Sequence, residues 1–167
     1  MNEVIVVNEN DEVIGTMPKK EAHKNGVLHR IAVIYVENST GEILVQHRAD
    51  NFLDHSAAGH VDPGESYKEA AQRELGEELG IKGVNLELIG HGSTKNEIYP
   101  KGTMTSHSFD IFKCTAEPGE LQTEEVKSVY WAKPEDVLQD MQNEANKDKY
   151  CDGFLVSLPI YLKSLQK

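Results

Sequence analysis

Gly59-His60-Val61-Asp62-Pro63-Gly64-Glu65, followed by seven residues and then Arg73-Glu74-Leu75-Gly76-Glu77-Glu78-Leu79-Gly80-Ile81, is the stretch that organises this 167-residue chain. Residues Ser66 to Leu79 read as a helix: Ala70, Ala71, Leu75 and Leu79 are helix formers or core-compatible, and Gly80 supplies a stop just past the end. On a helix, Glu74, Glu77 and Glu78 fall within an arc of about 100°, and Ala71, Leu75 and Leu79 form an adjacent apolar stripe at i, i+4 and i+8. One face can dock on a sheet while its neighbour offers three carboxylates to a cleft.

Three carboxylates this close repel one another, and like charges at i, i+4 cost a few tenths of a kcal/mol even when exposed. A hard divalent cation turns that repulsion into attraction. Mg²⁺ takes oxygen ligands in octahedral geometry, keeps several waters, and bridges protein carboxylates to substrate phosphates. It also neutralises charge developing on a diphosphate and lowers the pKa of an attacking water. Arg73, one turn before Glu77, is placed to pair with that residue or with Glu65, orienting ligands rather than binding substrate. A bare Arg-Glu-x-x-Glu-Glu is more often a solvated helix face. The complete string, from Gly59 through Glu65 to Gly80-Ile81, is far more specific.

Working outward, Ile31-Ala32-Val33-Ile34-Tyr35-Val36 is a continuous β-prone run, expected as a buried strand. Asn38 to Gly41 is a turn and Glu42 to His47 its hairpin partner. Towards the amino terminus, Val4, Val6 and Val13 alternate around a turn at Asn8 to Asp11, and Met17 to His23 reads as a loop with a short helical turn. Asn51 to Gly64 reads as irregular, closed by Pro63-Gly64. Val84–Ile89, Ser108–Lys113 and Val126–Trp131 are further strands. Pro134-Glu135-Asp136 opens a helix, with proline in its first turn. Asn143 to Lys149 is a polar loop. Phe154 to Leu165 is a terminal helix in which Pro159 must sit near the start or at a kink. This order predicts α/β architecture, a sandwich around a mixed β-sheet.

The length suits one domain with a real core. Hydrophobic residues make up 38% of the chain, and no apolar run approaches membrane-spanning length. The opening residues lack the basic region and apolar stretch of a secretory signal. Cys114 and Cys151 form no CxxC pair, which points to two reduced thiols in a cytoplasmic protein rather than a disulfide framework or structural zinc site. Seventeen Lys plus Arg against 28 Asp plus Glu give a formal net charge of −11 with no basic stripe, a surface that repels nucleic-acid polymers. Small phosphorylated ligands stay compatible with it when divalent cations sit between the charges.

The string Gly59–Ile81 matches the Nudix box at every fixed position, and from Leu28 to about Glu135 the chain resembles the Nudix superfamily. The resemblance implies a Nudix-type α/β/α sandwich spanning residues 1–167 as one domain. Within it, 1–27 form an amino-terminal extension, 59–81 the box and 153–167 the terminal helix. It also implies hydrolysis of a diphosphate linkage in a small nucleoside diphosphate derivative, with Mg²⁺ (or Mn²⁺) as cofactor. Glu74, Glu77, Glu78 and the Gly59 carbonyl become the expected metal ligands, Glu74 an alternative water activator, and Glu65 the partner of Arg73. Glu124 and Glu125, ahead of Trp131, look like the segment that supplies an extra carboxylate in some members; an exposed acidic turn is the equal alternative. The substrate grip falls to loops, with Arg30, Arg48, Asn51, Phe52, Tyr99 and Lys101 as candidates against ordinary packing or surface charge. A homodimer is common among such relatives.

A second resemblance points to a sub-branch. Asn10-Asp11-Glu12-Val13-Ile14-Gly15, His23 and Val27-Leu28-His29-Arg30 look like the amino-terminal part of isopentenyl diphosphate isomerases. Those enzymes share the fold and hold a metal with histidines and glutamates; His23, His29 and His60 match the histidine positions approximately, against the plainer reading of polar loop residues. Two departures oppose isomerase chemistry. The position before Gly59-His60 is Ala58 rather than cysteine, and a methyl group can neither give nor take a proton. The box is also intact here, whereas isomerases carry a degraded one. Three readings follow: a diphosphate hydrolase, a prenyl diphosphate isomerase, and a non-catalytic ligand-binding module.

Overall fold

The computed structural model describes residues 2–98 and 104–166. The central element is β3 (His29–Glu37), whose side chains alternate between two buried layers. Ala32, Ile34 and Val36 face α2 (Tyr67–Leu79), meeting Ala70, Ala71, Leu75 and Leu79. Ile31, Val33 and Tyr35 face the other way. There they pack with Val137 and Met141 of α3 (Pro134–Gln142) and Phe154, Leu158 and Tyr161 of α4 (Asp152–Ser164). A strand covered on both faces must be apolar throughout, which is why Ile31–Val36 carries no polar alternation. The result is the α/β/α sandwich expected from the sequence.

The sheet is mixed. β8 (Met104–Thr115) runs parallel to β3 from His29↔His107 to Glu37↔Thr115, and β7 (Glu87–Ile98) pairs antiparallel with β8. The other edge of β3 is shared in succession. β1 (Glu3–Val7) takes His29, β6 (Ala57–His60) takes Ile31 to Ile34, and β4 (Ile43–Arg48) takes Glu37 alone. The expected β3–β4 hairpin is therefore joined only at its mouth. Beyond it β4 leaves β3 and pairs with β9 (Val126–Ala132) and β5 (Leu53–Asp54). That divergence lets β6 pair with β3 and brings the box loop beside the sheet.

Other boundaries differ for physical reasons. The stretch expected to be irregular contains β5 and β6; Ala57-Ala58-Gly59 has low strand propensity and is extended because β3 offers it an edge. The third expected strand begins at Glu87 rather than Val84 and runs on to Ile98. Met17–His23 divides between β2 (Val13–Pro18), which pairs with β1, and α1 (Lys19–Asn25). Pro159 lies inside α4, well past its first turn, so the backbone there lacks one donor.

α2 begins one residue later than expected because Ser66 is its cap. The Ser66 hydroxyl accepts from the Glu69 amide at 3.1 Å and the Glu69 carboxylate accepts from the Ser66 amide at 2.9 Å, a capping box. Gly80 ends the helix at φ 65°, a left-handed conformation that glycine adopts without penalty. The last carbonyls are not wasted: the amides of Gln122 and Gly119 donate to Glu78 and Leu79 at 3.0 and 2.8 Å. Those bonds bring the Glu124-Glu125 segment to the carboxyl-terminal end of α2. The amino-terminal hairpin is held through Asp11, whose Oδ1 accepts from Arg30 Nε, Tyr67 OH and Ser108 Oγ at 3.0, 2.7 and 3.0 Å.

Candidate active site

Burying the apolar stripe of α2 against β3 turns Glu74 and Glu78 inward with it, and both carboxylates are almost fully covered. Glu78 Oε1 accepts from Gln46 Nε2 at 3.0 Å and faces the Ala58 amide at 3.4 Å. Gln46 in turn donates to the Ser56 carbonyl at 3.0 Å, so β4 and the strand entering the box loop both orient Glu78. Glu74 rests against Gly59. A β-carbon at position 59 would lie 2.2 Å from the Glu74 carboxyl carbon, so any other residue there would have to displace the Glu74 carboxylate.

Arg73 ties the loop to the helix. Its guanidinium donates twice to Glu65, at 2.8 and 2.9 Å, and to Glu74 Oε1 at 2.7 Å. It also donates to the His60 carbonyl at 2.9 Å. Contacts with Glu77 and Asp62 are longer, 3.4 and 3.5 Å. Both pairing options anticipated for Arg73 are thus used at once. The turn from Asp62 to Glu65, with Gly64 at φ 88°, delivers Glu65 to this fork. The bidentate geometry with Glu65 needs a planar guanidinium and would not survive replacement by lysine.

Burial pushes the Glu78 carboxyl well above the usual carboxylate range, against the opposing hydrogen bond from Gln46 and helped by the Glu74 charge beside it. Burial likewise raises Glu74, although the hydrogen bond to Glu78 and the Arg73 charge work the other way. The two side chains share a hydrogen bond, the arrangement of two carboxyl groups that cannot both ionise without a counter-charge. Replacing the shared proton with a divalent cation satisfies both oxygens. The donor set, two buried carboxylates beside the backbone of Gly59 in β6, consists of hard oxygen ligands and fits Mg²⁺ or Mn²⁺.

Both glutamates line a cleft of roughly 610 Å³, together with Gly59, Gln46, Asp54 and Arg73. Asp54 is the second acidic wall. Burial raises its carboxyl, but the hydrogen bond and charge of His55 and the charge of Arg48 outweigh that and hold it below the usual range. His55 Nδ1 lies 2.7 Å from Asp54 Oδ1. Glu124 and Glu125 also line the cleft. Glu77 does not: its side chain is 58% exposed, so the helix presents two carboxylates inward and one outward rather than three together.

The candidate substrate residues scatter. Arg48 lines the cleft but is paired with Asp50 at 2.6 Å and Asp54 at 3.4 Å. Phe52 lies under the Arg48 guanidinium, 5.7 Å away, and is not part of the cleft wall. Arg30 is held by Asp11 and stacks 4.7 Å over Tyr67, away from the carboxylates. Asn51 adopts φ 74° in the turn before β5 and accepts from Lys127 at 3.3 Å. Tyr99 and Lys101 lie outside the described residues.

His23, His29 and His60 come together, with ring centroids 5.0 to 5.2 Å apart. A fourth ring that sequence reasoning did not single out, His107, sits 4.6 Å from His29. Gln46 and Asp54 were missed as well. Gln46 follows the apolar run Ile43-Leu44-Val45 in β4 and, two residues after Leu44, shares its buried side of the strand.

The sequence matches the family described as NUDIX domain over residues 27–152. An uncharacterised Nudix hydrolase of Pseudomonas aeruginosa is 31% identical over 166 residues, covering 93% of this chain and 90% of its own length. An isopentenyl-diphosphate Delta-isomerase of Pectobacterium atrosepticum is 39% identical over 88 residues, 49% of either chain. The crystal structure of a Deinococcus radiodurans protein superposes with a TM-score of 0.67 at 26% identity, covering 83% of this chain and 87% of the other.

Proposed function

This chain belongs to the NUDIX domain family and is a Nudix hydrolase, and on that premise we propose that it cleaves the diphosphate linkage of a small nucleoside diphosphate derivative with Mg²⁺. The observation that carries the proposal is the buried Glu74–Glu78 pair against Gly59, which has one counter-charge too few. Glu74, Glu78 and the Gly59 carbonyl would hold the cation; Glu77, on the exposed side of the same turn, would join through water or a rotated side chain. Bound Mg²⁺ supplies charge neutralisation for phosphate oxygens and acidifies water.

The chain's own groups do the remainder. A water oxygen bonds to one phosphorus, the P–O anhydride bond breaks, and the proton passes to the Glu74 carboxylate. Two phosphorylated fragments then leave. Arg73, through Glu65 and the His60 carbonyl, holds Glu74 in one rotamer for that transfer, and Glu124 or Glu125 offers a further carboxylate at the cleft wall. Among the described candidates for gripping substrate, Arg48 is the one that lines the cleft.

We read the whole of 1–167 as one domain working in the cytoplasm. The isomerase alternative finds Ala58 on the cleft wall where an acid–base group is needed. The test is a panel of nucleoside diphosphate compounds incubated with wild type and Glu78→Gln in Mg²⁺ and in chelator. Monophosphate release by wild type in Mg²⁺ alone supports the proposal; equal activity in all four conditions removes it. Tritium exchange into isopentenyl diphosphate would instead favour the isomerase.

A further inference from the structure

We propose that His23, His29, His60 and His107 form a second cation site, all-nitrogen and tetrahedral, that takes Zn²⁺ rather than Mg²⁺. It goes beyond the hydrolase reading and does not depend on it, since none of its side chains belongs to the carboxylate set.

The four imidazoles come from four separate elements: α1, the start of β3, the end of β6, and β8. One ring nitrogen from each lies within 4.8 Å of those of the other three. The Nε2 atoms of His23 and His60 are 3.2 Å apart. Two nitrogens bound at about 2.0–2.1 Å to one tetrahedral zinc sit about 3.3 Å from each other, so this edge already has the required length. The parallel register His29↔His107 brings the other two rings side by side.

Two nitrogens carry the argument further. Nε2 of His29 and Nε2 of His107 are buried and have no hydrogen-bond partner. Buried polar atoms in folded proteins are almost always paired, so two in one cluster call for a ligand. His29 is also pre-oriented: its Nδ1 lies 2.7 Å from the Val27 carbonyl, so the proton sits on Nδ1 and the lone pair of Nε2 points into the cluster. Burial lowers the His23, His29 and His107 imidazoles below their usual range, His29 to about 4, in keeping with neutral donors.

The chemistry of the set selects the ion. Among the described residues the cluster contains no carboxylate, and imidazole suits zinc and its late first-row neighbours, whereas Mg²⁺ keeps to oxygen. Four protein ligands with none left open is the form of a structural site. Such a site pins α1 to the central strands. It also fixes His60, whose carbonyl holds Arg73 at 2.9 Å, so zinc at the histidines would steady the guanidinium that orients Glu74.

The experiment uses the full chain stripped with chelator and dialysed into excess Mg²⁺. Calorimetric titration with Zn²⁺ should show one tight site per chain, and Co²⁺ in its place should give the strong visible absorption of tetrahedral coordination. His107→Ala and the partly buried His23→Ala should each weaken Zn²⁺ binding by at least about 100-fold, with far-ultraviolet circular dichroism unchanged for His23→Ala. Glu78→Gln should bind Zn²⁺ as wild type does. No tight Zn²⁺ binding by wild type in Mg²⁺, undiminished binding in both histidine variants, or loss confined to Glu78→Gln would each overturn the proposal. None of these readouts involves hydrolysis, so failure here is separable from failure of the hydrolase reading.

Discussion

Gly59 and Glu74 occupy one another's space: the Glu74 carboxylate lies where the β-carbon of any other residue at position 59 would be, 2.2 Å from its carboxyl carbon. The obstructing group is the end of a flexible side chain, so Gly59→Ala can fold by displacing it. The variant should melt within a few degrees of wild type yet lose about 100-fold in turnover, the cost of moving a reacting group by roughly 1 Å. Thermal melts and kcat on a cleaved substrate check this together. Unchanged kcat would mean that Glu74 has no part in the reaction.

Glu78→Gln separates burial from function. The raised carboxyl of Glu78 shows that a charge there is unwelcome without a cation, and an amide keeps the shape while removing it. Metal-free Glu78→Gln should be at least as stable as metal-free wild type. Mg²⁺ at about 100 times its Kd should add about 2.7 kcal/mol to wild type and nothing to the variant, read as the Mg²⁺-induced shift in melting temperature.

The helix was legible because its signals agree at every level. Ala71, Leu75 and Leu79 mark the buried stripe, and Gly80 stops the helix. β3 was equally plain from six apolar residues in a row. His107 was not, because its partner His29 lies 78 residues away, and nothing local in Ser106-His107-Ser108 states that β8 runs parallel to β3 in that register. β6 escaped for the opposite reason: alanine and glycine extend only where a neighbouring strand pairs with them. The outward turn of Glu77 could not be read from helical angles alone, since an arc of about 100° spans both cleft and solvent.

Arg73→Lys keeps the charge and discards the fork. Lysine cannot hold Glu65 bidentately while also reaching Glu74 and the His60 carbonyl. Affinity for Mg²⁺ should fall 10- to 100-fold, measured by titrating activity or melting temperature with the cation. A change within twofold would show that the loop is held by other contacts.

Glu65 sets an acid limit. The hydrogen bonds from Arg73 hold its carboxyl below the usual range, so the stability it contributes is present above about pH 4.5 and is lost as pH falls through the lower folded value. Urea midpoints measured from roughly pH 6 to pH 3 should decline less steeply in Glu65→Gln than in wild type. Parallel profiles would mean that the pair contributes nothing to folding.

The account rests on where a hard divalent ion settles. A crystal equilibrated with Mn²⁺ as a Mg²⁺ substitute, with data collected at the manganese edge, locates it directly. The account predicts an anomalous peak within bonding distance of the Glu74 and Glu78 carboxylates and the Gly59 carbonyl, absent in Glu78→Gln crystals. A peak elsewhere in the cleft with none at these three ligands, in protein that still hydrolyses its substrate, would contradict it.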